Sequence, residues 1–177
     1  MAEEQLLASA ASEYNEELAQ LYKEDQADRL LPSGEQINWT MVAPRDAARL
    51  ARVKEMCEEQ ALQTGVDYYH AAMVLQHAHE PEDYLLAHDL CIVAISKGNE
   101  RAKWLAAASE DRYLMNTGRP QRFGTQYCMD KPGGDYSLYE VAPGLSDWMR
   151  RAFNCPSLSE AQAEAEQFNK KPAPPAS

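Results

Sequence analysis

The sequence lacks paired cysteines, a basic leader and any long apolar run. Its cysteines, Cys57, Cys91, Cys128 and Cys155, are scattered without a CxxC pair, so the spacing of a typical zinc or redox site is missing. The first residues are rich in glutamate, where a secretory signal would carry a basic segment and then an apolar one. No apolar run reaches the roughly 20 residues of a membrane helix. We therefore expect a cytoplasmic protein with free thiols and no membrane partner.

Positive charge is also scarce. The chain has 17 Lys and Arg against 28 Asp and Glu, which gives a formal net charge of −11. A surface that binds nucleic acid needs clustered Lys and Arg, so this balance argues against a nucleic-acid partner. The glycine-rich phosphate loops GxGxxG and Walker A are absent as well, and we predict no cofactor.

What the sequence does contain is helical periodicity. At 177 residues and 45% hydrophobic content, the chain is long enough for one globular domain with an ordinary core. Apolar residues recur at spacings of three and four, which predicts a mainly α fold, a compact helical bundle. The predicted helices cover about residues 3–29, 44–63, 67–79, 83–97, 99–116, 146–153 and 157–168. Pro44 is the predicted first-turn residue of the second helix, and Asp67 is the predicted N-cap of the third. The third helix is apolar on most of its circumference, which predicts a central position in the bundle.

The pattern changes after Gly118. Short β-favouring runs flank a Pro-Gly-Gly turn, which predicts one β-hairpin over about residues 124–141. Ser157 and Glu160 have the spacing of a capping box at the start of the last helix. The proline-rich residues 170–177 are predicted to form a disordered tail. We therefore interpret residues 1–169 as a single helical domain.

Polar side chains occur at three places next to apolar helices. Gln76 and His77 directly follow the apolar run Ala71–Leu75, Arg112 follows Asp111 near a helix end, and residues 121–126 form a polar loop. Buried polar groups must find partners or lower stability, so these segments predict a fixed polar cluster. The predicted ligand-binding residues are Gln76, His77, Arg112, Gln121, Thr125 and Gln126.

Three functions are compatible with this cluster. The first is a non-catalytic module that binds a small polar or peptide-like ligand, or a protein partner. The second is a hydrolase-type enzyme in which His77 is the general base, Asp111 orients it, and Arg112 or Gln126 stabilises developing negative charge. The third is a purely structural cluster. Whether the chain is an enzyme stays open at this point, and no Ser or Cys lies in a nucleophile motif.

All four histidines lie between residues 70 and 88. His70 and His77 project from nearly the same side of one helix, and His88 lies on the next helix. A three-histidine metal site is one interpretation. The spacing matches no recognised ligand pattern such as HExxH, so we interpret these histidines as structural and predict no metal site.

Several motifs occur together over roughly residues 22–165. They are Asp25-Gln26-Ala27-Asp28-Arg29, Asp46 with Arg49 and Arg52-Val53, Leu75-Gln76-His77-Ala78, Asp111-Arg112, Gly118-Arg119-Pro120-Gln121-Arg122-Phe123-Gly124-Thr125-Gln126, and Trp148-Met149-Arg150-Arg151 followed by Pro156-Ser157-Leu158. As a set they resemble an uncharacterised, largely bacterial family of helical domains of unknown function. That resemblance implies a helical fold with a polar cluster and assigns no reaction. Separately, the small residues of the 83–116 helix pair weakly resemble a Sel1 repeat, although one copy is too few for a solenoid.

Overall fold

The fold is mainly α with one short hairpin, as predicted. The computed structural model describes residues 14–32, 36–129, 131 and 133–170. Within these ranges it contains seven helices and two strands: α1 Glu16–Ala27, α2 Trp39–Glu58, α3 Gly65–Leu75, α4 Pro81–Ser96, α5 Ala102–Asn116, β1 Tyr127–Met129, β2 Tyr136–Leu138, α6 Asp147–Ala152 and α7 Leu158–Asn169. No helix among the described residues combines the length and apolar character needed to cross a membrane.

The chain divides into two compact units, Met1–Ala102 and Lys103–Ser177. The first unit contains α1 to α4, and the second contains nearly all of α5, the hairpin, α6 and α7. Each unit is described below by itself. The single domain over residues 1–169 stays a prediction, since two compact units of one chain can belong to one cooperative domain.

Helix α3 is the central element of the first unit. It packs against α1, α2 and α4, and eight of its residues are buried, as its apolar circumference predicted. Thr64 is its N-cap and forms a capping box with Asp67, the third residue of the helix. We had predicted Asp67 as the cap. Thr64 takes that position because its hydroxyl accepts the Asp67 N–H at 3.2 Å.

The bounds of α1 and α2 differ from the predicted ones. The described part of the first helix begins at Glu16, after the N-cap Asn15, and the predicted residues 3–13 lie outside the described ranges. Helix α2 begins at Trp39, so Pro44 lies inside the helix and not at its start. A proline there lacks the N–H of one helical hydrogen bond. The turn before Pro44 is nevertheless helical, and Val42 in that turn is buried, with 5% exposure.

The second unit combines α5 with the hairpin and the last helix. The strands are antiparallel, with Tyr127 opposite Leu138, which confirms the predicted hairpin. Helix α7 packs against β2, and the ring of Phe168 lies 5.4 Å from that of Tyr127, between centroids. The predicted capping box of Ser157 and Glu160 opens α7. Of the predicted tail, Lys170 is described and residues 171–177 lie outside the described ranges.

Candidate functional site

A network of aspartates and arginines joins α1 and α2 in the first unit. Arg29 donates to Asp25 Oδ1 at 3.0 Å and to Asp46 Oδ2 at 2.7 Å. Arg49 donates to Asp46 Oδ1 at 2.6 Å and to Asp28 Oδ2 at 2.8 Å. Asp25 and Arg49 are buried, with 1% and 4% exposure. Because each buried charge has an opposite partner within hydrogen-bond distance, the network can exist inside the protein.

The arginines set the ionisation of the carboxylates. Burial alone raises the pKa of Asp46, but hydrogen bonds from Arg29 and Arg49 outweigh it, and the net pKa lies below its ordinary value. The pKa of Asp28 is lowered in the same way: burial opposes the shift, while Arg49 and Arg45 produce it. These carboxylates therefore stay charged at any pH near neutrality.

We expect the free energy of unfolding to fall in acid. A carboxyl whose pKa is lower in the folded state stabilises the fold above its unfolded pKa, about 3.9 for aspartate. That contribution is about 1.4 kcal/mol for each pH unit by which the folded pKa lies below the unfolded one. It is lost as the pH falls from the unfolded pKa through the folded pKa. Urea unfolding between about pH 6 and pH 2 measures the slope. The variant Asp46→Asn should show a shallower slope below about pH 3.9, and an unchanged slope would contradict this account of the network.

His77 extends this network from the end of α3. Its Nδ1 lies 3.0 Å from Asp25 Oδ1, and Gln26 donates to the other oxygen of Asp25 at 2.8 Å. A carboxylate can only accept, so Nδ1 carries a proton, and in the neutral imidazole Nε2 is left as an acceptor. We expected Asp111 to orient His77, whereas the carboxylate in contact with it is Asp25.

A narrow cleft lies beside the His77–Asp25 pair. Its volume is about 80 Å³, enough for a few water molecules or one small functional group. The polar part of its lining comes from Asp25, Asp46, His77 and His79, and the apolar part from Ala43, Ala47, Leu50, Val74 and Ala78. The cleft therefore places one oriented imidazole next to an apolar wall.

In the second unit, Asp111 holds the polar loop. Its carboxylate is fully buried and accepts the backbone N–H groups of Arg122 at 2.7 Å, Phe123 at 2.9 Å and Thr125 at 3.0 Å. It also accepts the Thr125 hydroxyl at 2.8 Å. Both oxygens are thus used by main-chain and side-chain donors of the loop. The role of Asp111 in this arrangement is to fix the loop against α5.

The other predicted residues of this unit bond to one another. Gln121 donates to the carbonyl oxygens of Gln126 and Tyr139, both at 2.9 Å, and accepts the Gln126 N–H at 2.9 Å. Arg112 Nε donates to Gln126 Oε1 at 3.1 Å, and Gln126 Nε2 donates to the Thr125 hydroxyl at 2.9 Å. The structure therefore brings Arg112, Gln121, Thr125 and Gln126 together around bonds that tie the loop to α5 and to the hairpin.

Sequence reasoning missed a further member of this group. Arg150 of α6 is 3% exposed and donates to the carbonyl oxygens of Arg122 at 3.1 Å, Phe123 at 3.2 Å and Leu145 at 2.6 Å. It holds the carbonyl side of the loop, while Asp111 holds its N–H side. In the sequence, Arg150 appears only as part of the Trp148–Arg151 run, whose charges are typical of an ordinary helix end.

The remaining candidates, Gln76 and the histidines, belong to the first unit. Gln76 is the C-cap residue of α3 and is 5% exposed, with its amide nitrogen 3.3 Å from the sulfur of Met73. His70 stacks on Tyr22 with 4.2 Å between ring centroids, whereas His77 contacts Asp25. Across the described ranges, no group of three or more His, Cys, Asp or Glu is arranged to hold a metal ion.

No family model, curated protein or solved structure matches this chain. The resemblance to the helical family of unknown function stays a prediction, as does the resemblance of the 83–116 helix pair to a Sel1 repeat.

Proposed function

We propose that this chain is a cytoplasmic, non-catalytic binding module, and that its ligand places a small polar group in the cleft beside His77. The observation that carries the proposal is the 3.0 Å contact between His77 Nδ1 and Asp25 Oδ1 at the edge of that cleft. A buried carboxylate that fixes one nitrogen of an imidazole leaves the other nitrogen available to a ligand.

The chemistry of the cleft limits the kind of group it takes. In the neutral imidazole, Nε2 of His77 accepts a hydrogen bond, so the ligand group that fits it is a donor. The carboxylates of Asp25 and Asp46 already bind Arg29, which makes a neutral donor more suitable than a cation. The small volume and apolar wall fit a hydroxyl or amide side chain. A peptide that presents serine or asparagine has this chemistry.

A hydrolase-type enzyme is the alternative that the same contact favours. In this case His77 would be the general base, as predicted, with Asp25 in the orienting role that we gave to Asp111. The predicted stabilisers of negative charge argue against it, since Arg112 donates to Gln126. For Arg112, Gln121, Thr125 and Gln126 the structural interpretation is supported best, because their hydrogen bonds hold the loop.

We expect a leucine at position 47 to abolish binding, because the larger side chain would fill the cleft that Ala47 lines. The probes are N-acetyl-serinamide and N-acetyl-asparaginamide, with N-acetyl-alaninamide as the ligand without a side-chain donor. NMR should show shifts at His77 and Ala43 with the first two probes only. The matched control is Ala48→Leu, which adds the same side chain at an exposed position of α2 outside the cleft lining. Equal shifts with all three probes, or binding retained in Ala47→Leu, would contradict the proposal.

The enzyme alternative has a separate test. Hydrolysis of p-nitrophenyl acetate is measured for the unaltered protein, for His77→Gln and for His79→Gln. Both histidines line the cleft, but only His77 has the Asp25 partner. A rate that disappears in His77→Gln and persists in His79→Gln would favour the enzyme. Equal rates in all three proteins would exclude His77 as the base.

A further inference from the structure

The start of α3 carries two backbone donors without acceptors. The N–H groups of Gly65 and Val66 are the first two of this 11-residue helix, where no intrahelical carbonyl is available. Thr64 caps only the Asp67 N–H, and within the described residues neither Gly65 N–H nor Val66 N–H has a hydrogen-bond acceptor. Free N–H groups at a helix start attract anions, because the helix dipole places partial positive charge there.

Two cations line the cavity in front of this helix start. The cavity has a volume of about 400 Å³, and Lys97 and Arg101 form part of its wall. Lys97 Nζ lies 5.7 Å from the centre of the Tyr68 ring, and Arg101 Cζ lies 4.9 Å from the centre of the Tyr69 ring. Neither cation has an ion-pair partner in the part of the chain that the structure describes. Such unpaired cations contrast with the net charge of −11 of the chain.

The nearby carboxylate of Asp67 is not the acceptor of the Gly65 and Val66 N–H groups. Asp67 is 1% exposed and accepts the N–H groups of Asn15 at 2.6 Å, Gln63 at 3.1 Å and Thr64 at 2.9 Å. Its oxygens are therefore committed to donors that precede α3, and they leave the N–H groups of Gly65 and Val66 free.

His70 supplies an independent observation on the same cavity. Its imidazole lines the cavity although the residue is only 9% exposed, and its Nδ1 has no hydrogen-bond partner within the described residues. Burial lowers the pKa of His70, and Arg101 lowers it further, while Asp67 acts in the opposite direction. A buried polar atom without a partner lowers stability unless a ligand or water compensates for it.

The cavity is also held in a fixed shape. A Cβ atom added at Gly65 would lie 3.1 Å from the Ala94 carbonyl oxygen and 3.2 Å from Asn99 Cβ, so the start of α3 lies directly against the end of α4. Asn99 Nδ2 donates to the Gly65 carbonyl at 3.0 Å. The backbone donors of Gly65 and Val66 are therefore positioned before any ligand arrives.

We propose that this cavity binds a small oxyanion, with a phosphate group as the ligand chemistry. The N–H groups of Gly65 and Val66 would donate to its oxygens, and Lys97 and Arg101 would balance its charge. This site is separate from the cleft beside His77, because Gly65 opens α3 and His77 follows its other end. The proposal does not depend on the proposed function of that cleft.

The test is an NMR titration of the full chain with inorganic phosphate at constant ionic strength. We expect the amide signals of Gly65 and Val66 to shift and saturate, while sodium chloride and sodium acetate leave them unchanged. A saturating shift with acetate but not with chloride would replace phosphate by carboxylate as the ligand chemistry and so overturn the proposal as stated. Identical responses to phosphate and chloride would show only screening by salt and would also overturn it.

The variant Arg101→Gln should weaken phosphate binding by about tenfold or more, the effect of one lost charged hydrogen bond. The matched control is Lys170→Gln, which removes one exposed positive charge from the end of α7. Circular dichroism confirms that both variants are folded. Equal weakening in the two variants would show that phosphate responds only to net charge, and the site would be rejected.

Discussion

Replacing Asp111 by alanine is expected to lower the free energy of unfolding by about 3–5 kcal/mol, since each buried donor left without a partner costs about 1–3 kcal/mol. The carboxylate is fully buried and accepts the N–H groups of Arg122, Phe123 and Thr125. Alanine would leave all three without their acceptor. The change therefore acts on the whole loop and not on one contact.

Urea unfolding followed by tryptophan fluorescence measures this effect. Trp104 and Trp148 lie in the second unit and Trp39 in the first, so circular dichroism is recorded in parallel to follow both units. Asp135→Ala is the matched control, because it removes an exposed carboxylate of the same unit and should change stability by no more than about 0.5 kcal/mol. Equal losses in the two variants would contradict the role assigned to Asp111.

Replacing Arg49 by methionine should lower the free energy of unfolding by about 1–3 kcal/mol, because Asp28 and Asp46 each lose one of their two arginine partners. Arg49 bridges Asp28 and Asp46 with distances of 2.8 and 2.6 Å. Methionine keeps much of the side-chain volume, so the loss of stability measures the lost ion pairs and not a new cavity. Arg49→Lys should recover only part of it, since one ammonium replaces the planar guanidinium that reaches both carboxylates.

A second measurement separates this effect from general damage to α2. Without Arg49, Asp46 loses one of the two partners that lower its pKa, so the free energy of unfolding should fall less steeply below about pH 3.9 than in the unaltered protein. Arg52→Met is the matched control on the same helix. Arg52 binds Glu17 and Glu55 near the surface, and such pairs contribute about 0–1 kcal/mol. If the two variants lost similar stability, the buried network would not be a main source of stability.

The fold could be predicted because most of its signals are local. The spacing of apolar residues gave the helices, Gly118 ends α5 with a φ of 72°, and Ser157 and Glu160 marked the start of α7. Errors occurred where two local signals competed. Asp67 and Thr64 are both good caps, and the structure uses Thr64 as the cap and Asp67 as its partner. Pro44 suggested a helix start, but the helix begins earlier in the chain, at Trp39, and Val42 before the proline is buried.

The candidate site was predictable only where its contacts are short in sequence. The link between Arg112 and Gln126 joins a helix end to the loop that follows it, and the polar character of both segments suggested it. The partner of His77 lies 52 residues away in α1, and no local pattern indicates which of many carboxylates it will meet. Asp25 and Asp46 were noted only as part of a motif. Their burial and their arginine partners became visible with the packing of α1 on α2.

Asp111 recognises main-chain N–H groups, which every residue except proline possesses. These backbone hydrogen bonds do not depend on which side chains the loop carries. An exposed side chain of the loop can therefore change without altering the backbone conformation. Arg122 is exposed and pairs with Glu110, so exchange of its side chain should be well tolerated. Phe123 is constrained by its own burial and Gly124 by a φ of 81°. Gln121, Thr125 and Gln126 use their side chains in hydrogen bonds, so within residues 121–126 the tolerance to exchange is confined to Arg122.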